Sequence, residues 1–221
     1  MIARELIDTA EVPGGGELRL LRRGNEYSIM LGANELMNSR VSGSEEALAT
    51  LAIGAVHGRP CRDLLIGGLG MGFTLRAALA RLGPEAHIVV AEIVPAVIAW
   101  ARGPMAHIHG NSLTDPRVRI DTVDVADIIA DAQAAFDAIL LDVDNGPDGL
   151  SSAANDRLYD AAGLAEARNA LRPGGVLAIW SSAPDRAFTQ RLRKAGFEAE
   201  EHAVRARGTK GARHMIWIAI K

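Results

Sequence analysis

The sequence predicts an α/β protein in which a parallel sheet is covered by helices on both faces. Three observations carry this. From Leu64 onward, short apolar runs alternate with helical segments, the pattern of a sheet built from strand-helix-strand units. A glycine cluster, "GGLGMG", separates the first run from an alanine-rich helix, and open α/β sheets bind ligands at such strand ends. Acids stand at the carboxyl ends of the next three runs, at Glu92, Asp124 and Asp142.

Ahead of the glycines, "GELRLLRRGNEYSIML" and "NELMNSR" alternate apolar and polar positions with period two. Gly24-Asn25 and Gly32 to Asn34 supply turns, so residues 1–43 read as a small antiparallel β-sheet. Ser44 precedes "EEALATLAIGAVHG", where acids in the first turn and a closing Gly58 mark a helix. That helix joins the small sheet to a second unit, residues 44–221. Its strands are "DLLIGG", "HIVVAE", "RVRIDTV", "DAILLDV" and "GVLAIW". Its helices are "TLRAALARLG", "PAVIAWAR", "VADIIADAQ", "RLYDAAGLAEARNAL" and "RAFTQRLRKAG". At the end "FEAEEHAVRA" and "RHMIWIAI" are joined only by "RGTKGA", which predicts a terminal antiparallel hairpin. Arg205, Arg207, Lys210 and Arg213 read as a solvated cluster around its turn. "GPMAHIHGNSL" reads as a loop over the ligand pocket. Trp100, at helical spacing with Val97, packs on the sheet, and Trp180 ends a strand at the ligand edge as core or pocket wall.

Composition excludes several classes. The chain has 221 residues, 48% hydrophobic and 23% charged, and no apolar run reaches the ~18–20 residues that span a bilayer. Its first segment carries Glu5 and lacks the basic start and apolar run of a secretory signal, so a cytoplasmic protein without membrane attachment is expected. A net charge of −3 gives no attraction for phosphate backbones, and no nucleic-acid partner is expected. Cys61, the single cysteine, excludes an internal disulfide and a multi-thiolate metal site. His107 and His109 lack a third ligand at recognisable spacing, so no metal is expected. Serine pairs at 151–152 and 181–182 lack a G-x-S-x-G setting. Between Phe136 and Tyr159 five aspartates face one arginine, which suits a cationic ligand. The open edges of the small sheet would allow a homodimer.

Gly68, Gly70 and Gly72 occupy alternate positions. A dinucleotide fingerprint wants its third glycine at residue 73, where Phe73 stands, and this disfavours NAD. Glu92 lies 20 residues past Gly72, where a carboxylate accepts hydrogen bonds from ribose hydroxyls. Buried carboxylates need partners. A ligand with a ribose, an adenine amino group and a positive charge satisfies all three, with Glu92 on the ribose, Asp124 on the adenine and Asp142 toward the cation. Helix capping is the equal alternative for Asp124.

These segments resemble the S-adenosylmethionine-dependent methyltransferase fold, and within it the spermidine synthase (polyamine aminopropyltransferase) branch. "LLIGGLGMGFTLRAAL" looks like the strand-glycine-helix motif of that branch, and "VVAEIVPAVIAWAR" like its ribose segment. "LTDPRVRIDTVDVADII" is similar to its adenine segment and "FDAILLDVDNGP" to its active-site strand, while "LRPGGVLAIW" resembles the fifth-strand motif of methyltransferases generally. The resemblance implies a Rossmann-like seven-stranded sheet. It implies that Gly68, Gly70 and Gly72 line the methionine portion, that Glu92 binds ribose and Asp124 adenine, and that Asp142 deprotonates the attacking amine. It also shows departures. Gly70 stands where the synthases carry an aspartate that holds the aminopropyl amine. Val94 replaces a second acid, Asn145 replaces a second aspartate with Asp144 beside it, and Trp180 replaces a glutamine.

Loss of one buried carboxylate partner of a charged amine costs about 2–5 kcal/mol. Methyl transfer needs less from the protein, because the sulfonium is already an activated electrophile. The expectation is therefore a spermidine synthase-like transferase using S-adenosylmethionine, moving a methyl group to a small, cationic acceptor, with Asp142 and Asp144 as the catalytic acids. The first alternative is aminopropyl transfer from decarboxylated S-adenosylmethionine to an amine. The second is a nucleotide-binding interaction protein without catalysis.

Overall fold

Alternation at period two folds the first segment as anticipated, with one strand more than the pattern announces. The computed structural model describes residues 3–13, 15–143, 156–207 and 210–221. Strands β1 (Glu5–Glu11), β2 (Glu17–Arg23), β3 (Glu26–Leu31) and β4 (Asn34–Asn38) form an antiparallel meander in that order. β1 has no buried residue, so its residues show no apolar alternation to read. Gly24 and Gly32, with φ of +63° and +56°, make the two tight turns.

Helix α1 (Gly43–Ala55) follows. Its first intrahelical bond runs from Glu46 N–H to the Ser42 carbonyl, so Ser42 is the cap and the expected Ser44 lies inside the first turn, fully buried. The helix stops three residues short of Gly58. The main sheet then begins: β5 (Asp63–Gly67), α2 (Phe73–Leu79), β6 (His87–Ala91), α3 (Pro95–Arg102), α4 (Ala106–His109), β7 (Val118–Asp121), α5 (Val125–Asp131) and β8 (Phe136–Leu141). After it come α6 (Asp156–Tyr159), α7 (Ala161–Ala170), β9 (Leu171–Ser181), α8 (Arg186–Lys194), β10 (Glu198–Arg207) and β11 (Lys210–Ile220).

The seven strands lie in the order β10-β11-β9-β8-β5-β6-β7, parallel except for β11 against its two neighbours. This is a Rossmann-like sheet with a terminal antiparallel hairpin. Two expected loops are ordered instead. "GPMAHIHGNSL" contains α4 and a single 3-10 turn at Ser112–Thr114. The basic residues near the hairpin tip belong to the strands, where Arg205 faces Arg213 and Arg207 faces Lys210.

Helices α1, α2 and α3 cover one face of the sheet and α5, α7 and α8 the other. The small sheet shares the first of these cores. Leu18, Leu20, Tyr27 and Ile29 pack in one cluster with Leu48, Leu69, Met71 and Trp100. Trp100 also donates its indole N–H to Asp8 of β1 at 2.7 Å, which ties the strand nearest solvent to α3. Asp137, one of the five aspartates read as a cation patch, sits instead near the amino end of β8. It is 2% exposed and accepts from Arg59 at 2.8 Å and from the N–H groups of Arg62 and Asp63. Burial alone would raise its carboxyl. These bonds, with Arg172 at 3.2 Å, hold it down at about 2.

Candidate active site

The glycine turn lies at the carboxyl end of β5, between β6 and β8. Gly68 has φ of +90°, and a Cβ there would meet the Asp142 carbonyl oxygen at 2.5 Å. Gly72 has φ of +75°, and a Cβ there would run into the imidazole of His109, which is buried and neutral, its nitrogen pushed down to about 4 by burial and by Arg76. Two of the three glycines are therefore demanded by the protein's own packing. Gly70 differs: a Cβ there would meet the Met37 sulfur at 3.0 Å, so a side chain from β4 fills the space beside the position where the resembling synthases carry an acid.

The acids at the strand ends are deployed differently from one another. Glu92 is 7% exposed and accepts from the N–H groups of Leu69 at 3.0 Å and Val94 at 2.9 Å. Burial raises its carboxyl and those backbone bonds oppose the rise. The N–H groups of Gly70 and Ile93 also face this carboxylate and add to that opposition. Asp124 caps α5 by accepting from Ala126 N–H at 2.9 Å, and its other oxygen pairs with Arg157 at 2.8 Å. The capping alternative is thus realised, and Arg157 engages the remaining oxygen. Asp142 follows β8 directly, its N–H bonded to the Gly67 carbonyl, and its carboxylate accepts from the Thr74 hydroxyl at 2.6 Å. Burial pushes this carboxyl up to about 7; the nearby Glu45 carboxylate adds to the rise, and Thr74 opposes it. Asp144 and Asn145 lie outside the described residues.

Gly70, Gly72 and Asp142 line one cavity of about 300 Å³. Gly68 and Glu92 do not line it, although Glu92 holds the N–H of the lining residue Leu69, and Asp124 pairs with Arg157 outside it. The far walls come from regions that sequence spacing could not connect to the glycines. β4 contributes Glu35 and Met37, α1 contributes Glu45, and β9 and β11 contribute Trp180 and His214. Glu35 is neutralised by Arg40 at 2.8 Å. Glu45 makes no ion pair among the described residues and receives the Ser44 hydroxyl at 2.6 Å. His214 Nδ1 lies 2.8 Å from Ser44 Oγ, and its ring meets Trp180 edge-on with centroids 4.8 Å apart. Among the described lining residues there is no arginine or lysine. Trp180 is pocket wall. Ser44 and Glu45 had signalled only a helix start, and nothing in the order of residues marked His214.

Among the described residues no helix is long and apolar enough to cross a membrane. The chain matches the spermine/spermidine synthase domain over residues 43–190. It is 34% identical over 126 residues to the polyamine aminopropyltransferase of Mycobacterium tuberculosis, an alignment covering 56% of this chain and 23% of that protein. It is 31% identical over 127 residues to polyamine aminopropyltransferase 1 of Streptomyces coelicolor, covering 57% and 23%. The match thus spans about a quarter of the length of these relatives. The fold is shared with the spermidine synthase of Thermotoga maritima, at a TM-score of 0.79 with 18% identity, covering 98% of this chain and 72% of that one. It is shared less closely with the 1,6-didemethyltoxoflavin-N1-methyltransferase of Burkholderia thailandensis, at 0.56 and 21%, covering 81% and 79%. With the domain match extending from the first helix through the glycine turn and β8, the chain belongs to the spermine/spermidine synthase domain family.

Proposed function

We propose that the protein transfers an aminopropyl group from decarboxylated S-adenosylmethionine to a small amine, in preference to the methyl transfer expected from Gly70. One observation carries this: Glu45 and Asp142 present two carboxylates to a single cavity beside the glycine turn, with no described arginine or lysine on its walls. Such a cavity favours a cation over a neutral acceptor. Glu45 supplies a second acid where Gly70 has none. The names of the aligned relatives, all polyamine aminopropyltransferases, point the same way.

The residues fit a nucleoside donor. Gly68, Gly70 and Gly72 carry no side chains into the turn, Glu92 beside it is the candidate for the ribose hydroxyls, and Asp124 is the candidate for adenine once Arg157 yields one oxygen. The donor supplies a carbon activated by its sulfonium. Asp142, near neutrality in affinity for protons, accepts one from the acceptor's ammonium and leaves its nitrogen lone pair free. The new N–C bond forms as the C–S bond breaks, sulfur leaves as a neutral thioether, and Glu45 holds the positive charge that stays on nitrogen. Asp144 is kept as a second acid of the site.

Purified protein should be incubated with decarboxylated S-adenosylmethionine and putrescine, and in parallel with S-adenosylmethionine and the same amine, with products read by mass spectrometry. An aminopropylated amine from the first mixture is the expected result. A methylated amine from the second alone would establish the methyl-transfer reading, which Gly70 favours. Nucleotide binding by calorimetry without either product would leave the non-catalytic reading.

A further inference from the structure

Beside Glu45 stand two residues, Ser44 and His214, that the reading above does not use. Ser44 is fully buried in the first turn of α1, with His214 on one side at 2.8 Å and Glu45 on the other at 2.6 Å. We propose that Ser44 and His214 are positioning residues: a directional chain of hydrogen bonds from His214 through Ser44 holds the Glu45 carboxylate toward Asp142, where the acceptor's ammonium is received.

The direction follows from counting protons. An ionised carboxylate only accepts, and a hydroxyl has one hydrogen to give. Ser44 therefore donates to Glu45 and must accept from His214, which assigns the hydrogen to Nδ1. Burial lowers the affinity of His214 for a second proton, with Glu45 opposing, so Nε2 keeps a lone pair. Trp180, edge-on to the ring, restricts its rotation. Without the chain, Glu45 has three rotatable bonds and no ion pair among the described residues to hold it. With it, the three groups polarise one another in a confined site. The other ionisable groups on the cavity wall are Asp142, from the end of β8, and Glu35, from β4, which Arg40 occupies. Opposite His214 on β10 stands the apolar Val204. The contact between Ser44 and His214 spans 170 residues of chain.

The purpose of this chain rests on the transferase reading; its geometry does not, and the test separates the two. Imidazole nitrogen NMR at about pH 8 reports the tautomer, and carboxyl-carbon NMR reports the Asp142 midpoint, both without donor or acceptor. The wild type should show the Nδ1–H tautomer of His214. Ser44→Ala and His214→Phe, by releasing Glu45, should lower the Asp142 midpoint by about half a unit to one unit. His214→Asn places an amide N–H where Nδ1–H stood and should restore the midpoint. In turnover, the acid limb of the kcat profile should move with the midpoint, and KM for the amine should rise about tenfold in Ser44→Ala. An Nε2–H tautomer in the wild type, or one midpoint shared by all variants, overturns the proposal. If the tautomer and midpoints behave as stated but no amine is modified, the transferase reading falls and the orienting chain stands.

Discussion

Asp142 is where local chemistry and stability pull against each other. Its carboxyl sits at about 7, above the ordinary aspartate range, so between about pH 4 and pH 7 the folded protein binds a proton that the unfolded chain has released. Stability contributed at this site falls as pH rises through that window, and is lowest above it. Asp142→Asn removes the penalty. Discounted for a position only partly shielded from solvent, the gain should be about 1 kcal/mol at about pH 8, raising Tm by ~2–4 °C, with no gain near pH 4. Under the proposed transfer the same change should cut kcat by about 10²–10⁴-fold, because Asp142 is there the proton acceptor. Scanning calorimetry and a turnover assay on one preparation check both signs. Glu45→Gln should shift the acid limb of activity to lower pH by about half a unit to one unit, since the like charge that raises Asp142 is removed.

Among the elements, the glycine turn and α1 decide the site. Gly72 caps α2 in the left-handed region directly against His109, so Gly72→Ala combines backbone strain with a steric conflict. A loss of about 1–3 kcal/mol is expected from the backbone alone. Denaturant unfolding should show that adding His109→Ala recovers part of the loss and not all, because the φ penalty remains. The parallel strands and this turn were legible in the sequence, since a buried parallel strand is a continuous apolar run and a strand-glycine-helix junction is local. β1 was not, because a strand without buried residues carries no alternation. Nor were Ser44, Glu45 and His214 as a group. Glu45 and Asp142 meet only when α1 lies across the strand ends, and the order of residues holds no trace of that crossing. The basic residues at the hairpin tip misled for a related reason: glycines and charges read as a turn, while cross-strand pairing carries the ladder to Arg207 and Lys210.

For the molecule as a whole, the anchoring of β8 at its amino end matters as much as the chemistry at its carboxyl end. Asp137 collects two arginines and two backbone N–H groups and is held at about 2, so its contribution is present above the ordinary aspartate value and is lost as pH falls from about 4 toward 2. This is worth about 2 kcal/mol across that window. Asp137→Asn, which leaves Arg59 and Arg172 facing a neutral group, should cost about 3–5 kcal/mol at neutral pH and flatten acid unfolding, both visible in urea titrations at several pH values. The shared core has a consequence for synthesis. Leu18, Leu20, Tyr27 and Ile29 leave the ribosome before the rest of their cluster, which runs as far as Ile218. At ~5–20 residues per second, the small sheet waits roughly 10–40 s before its cluster is complete. During that interval the nascent chain offers four paired strands and a greasy surface, the profile of a chaperone client, and the wall that later closes the cavity beside the glycine turn begins as the part most in need of protection.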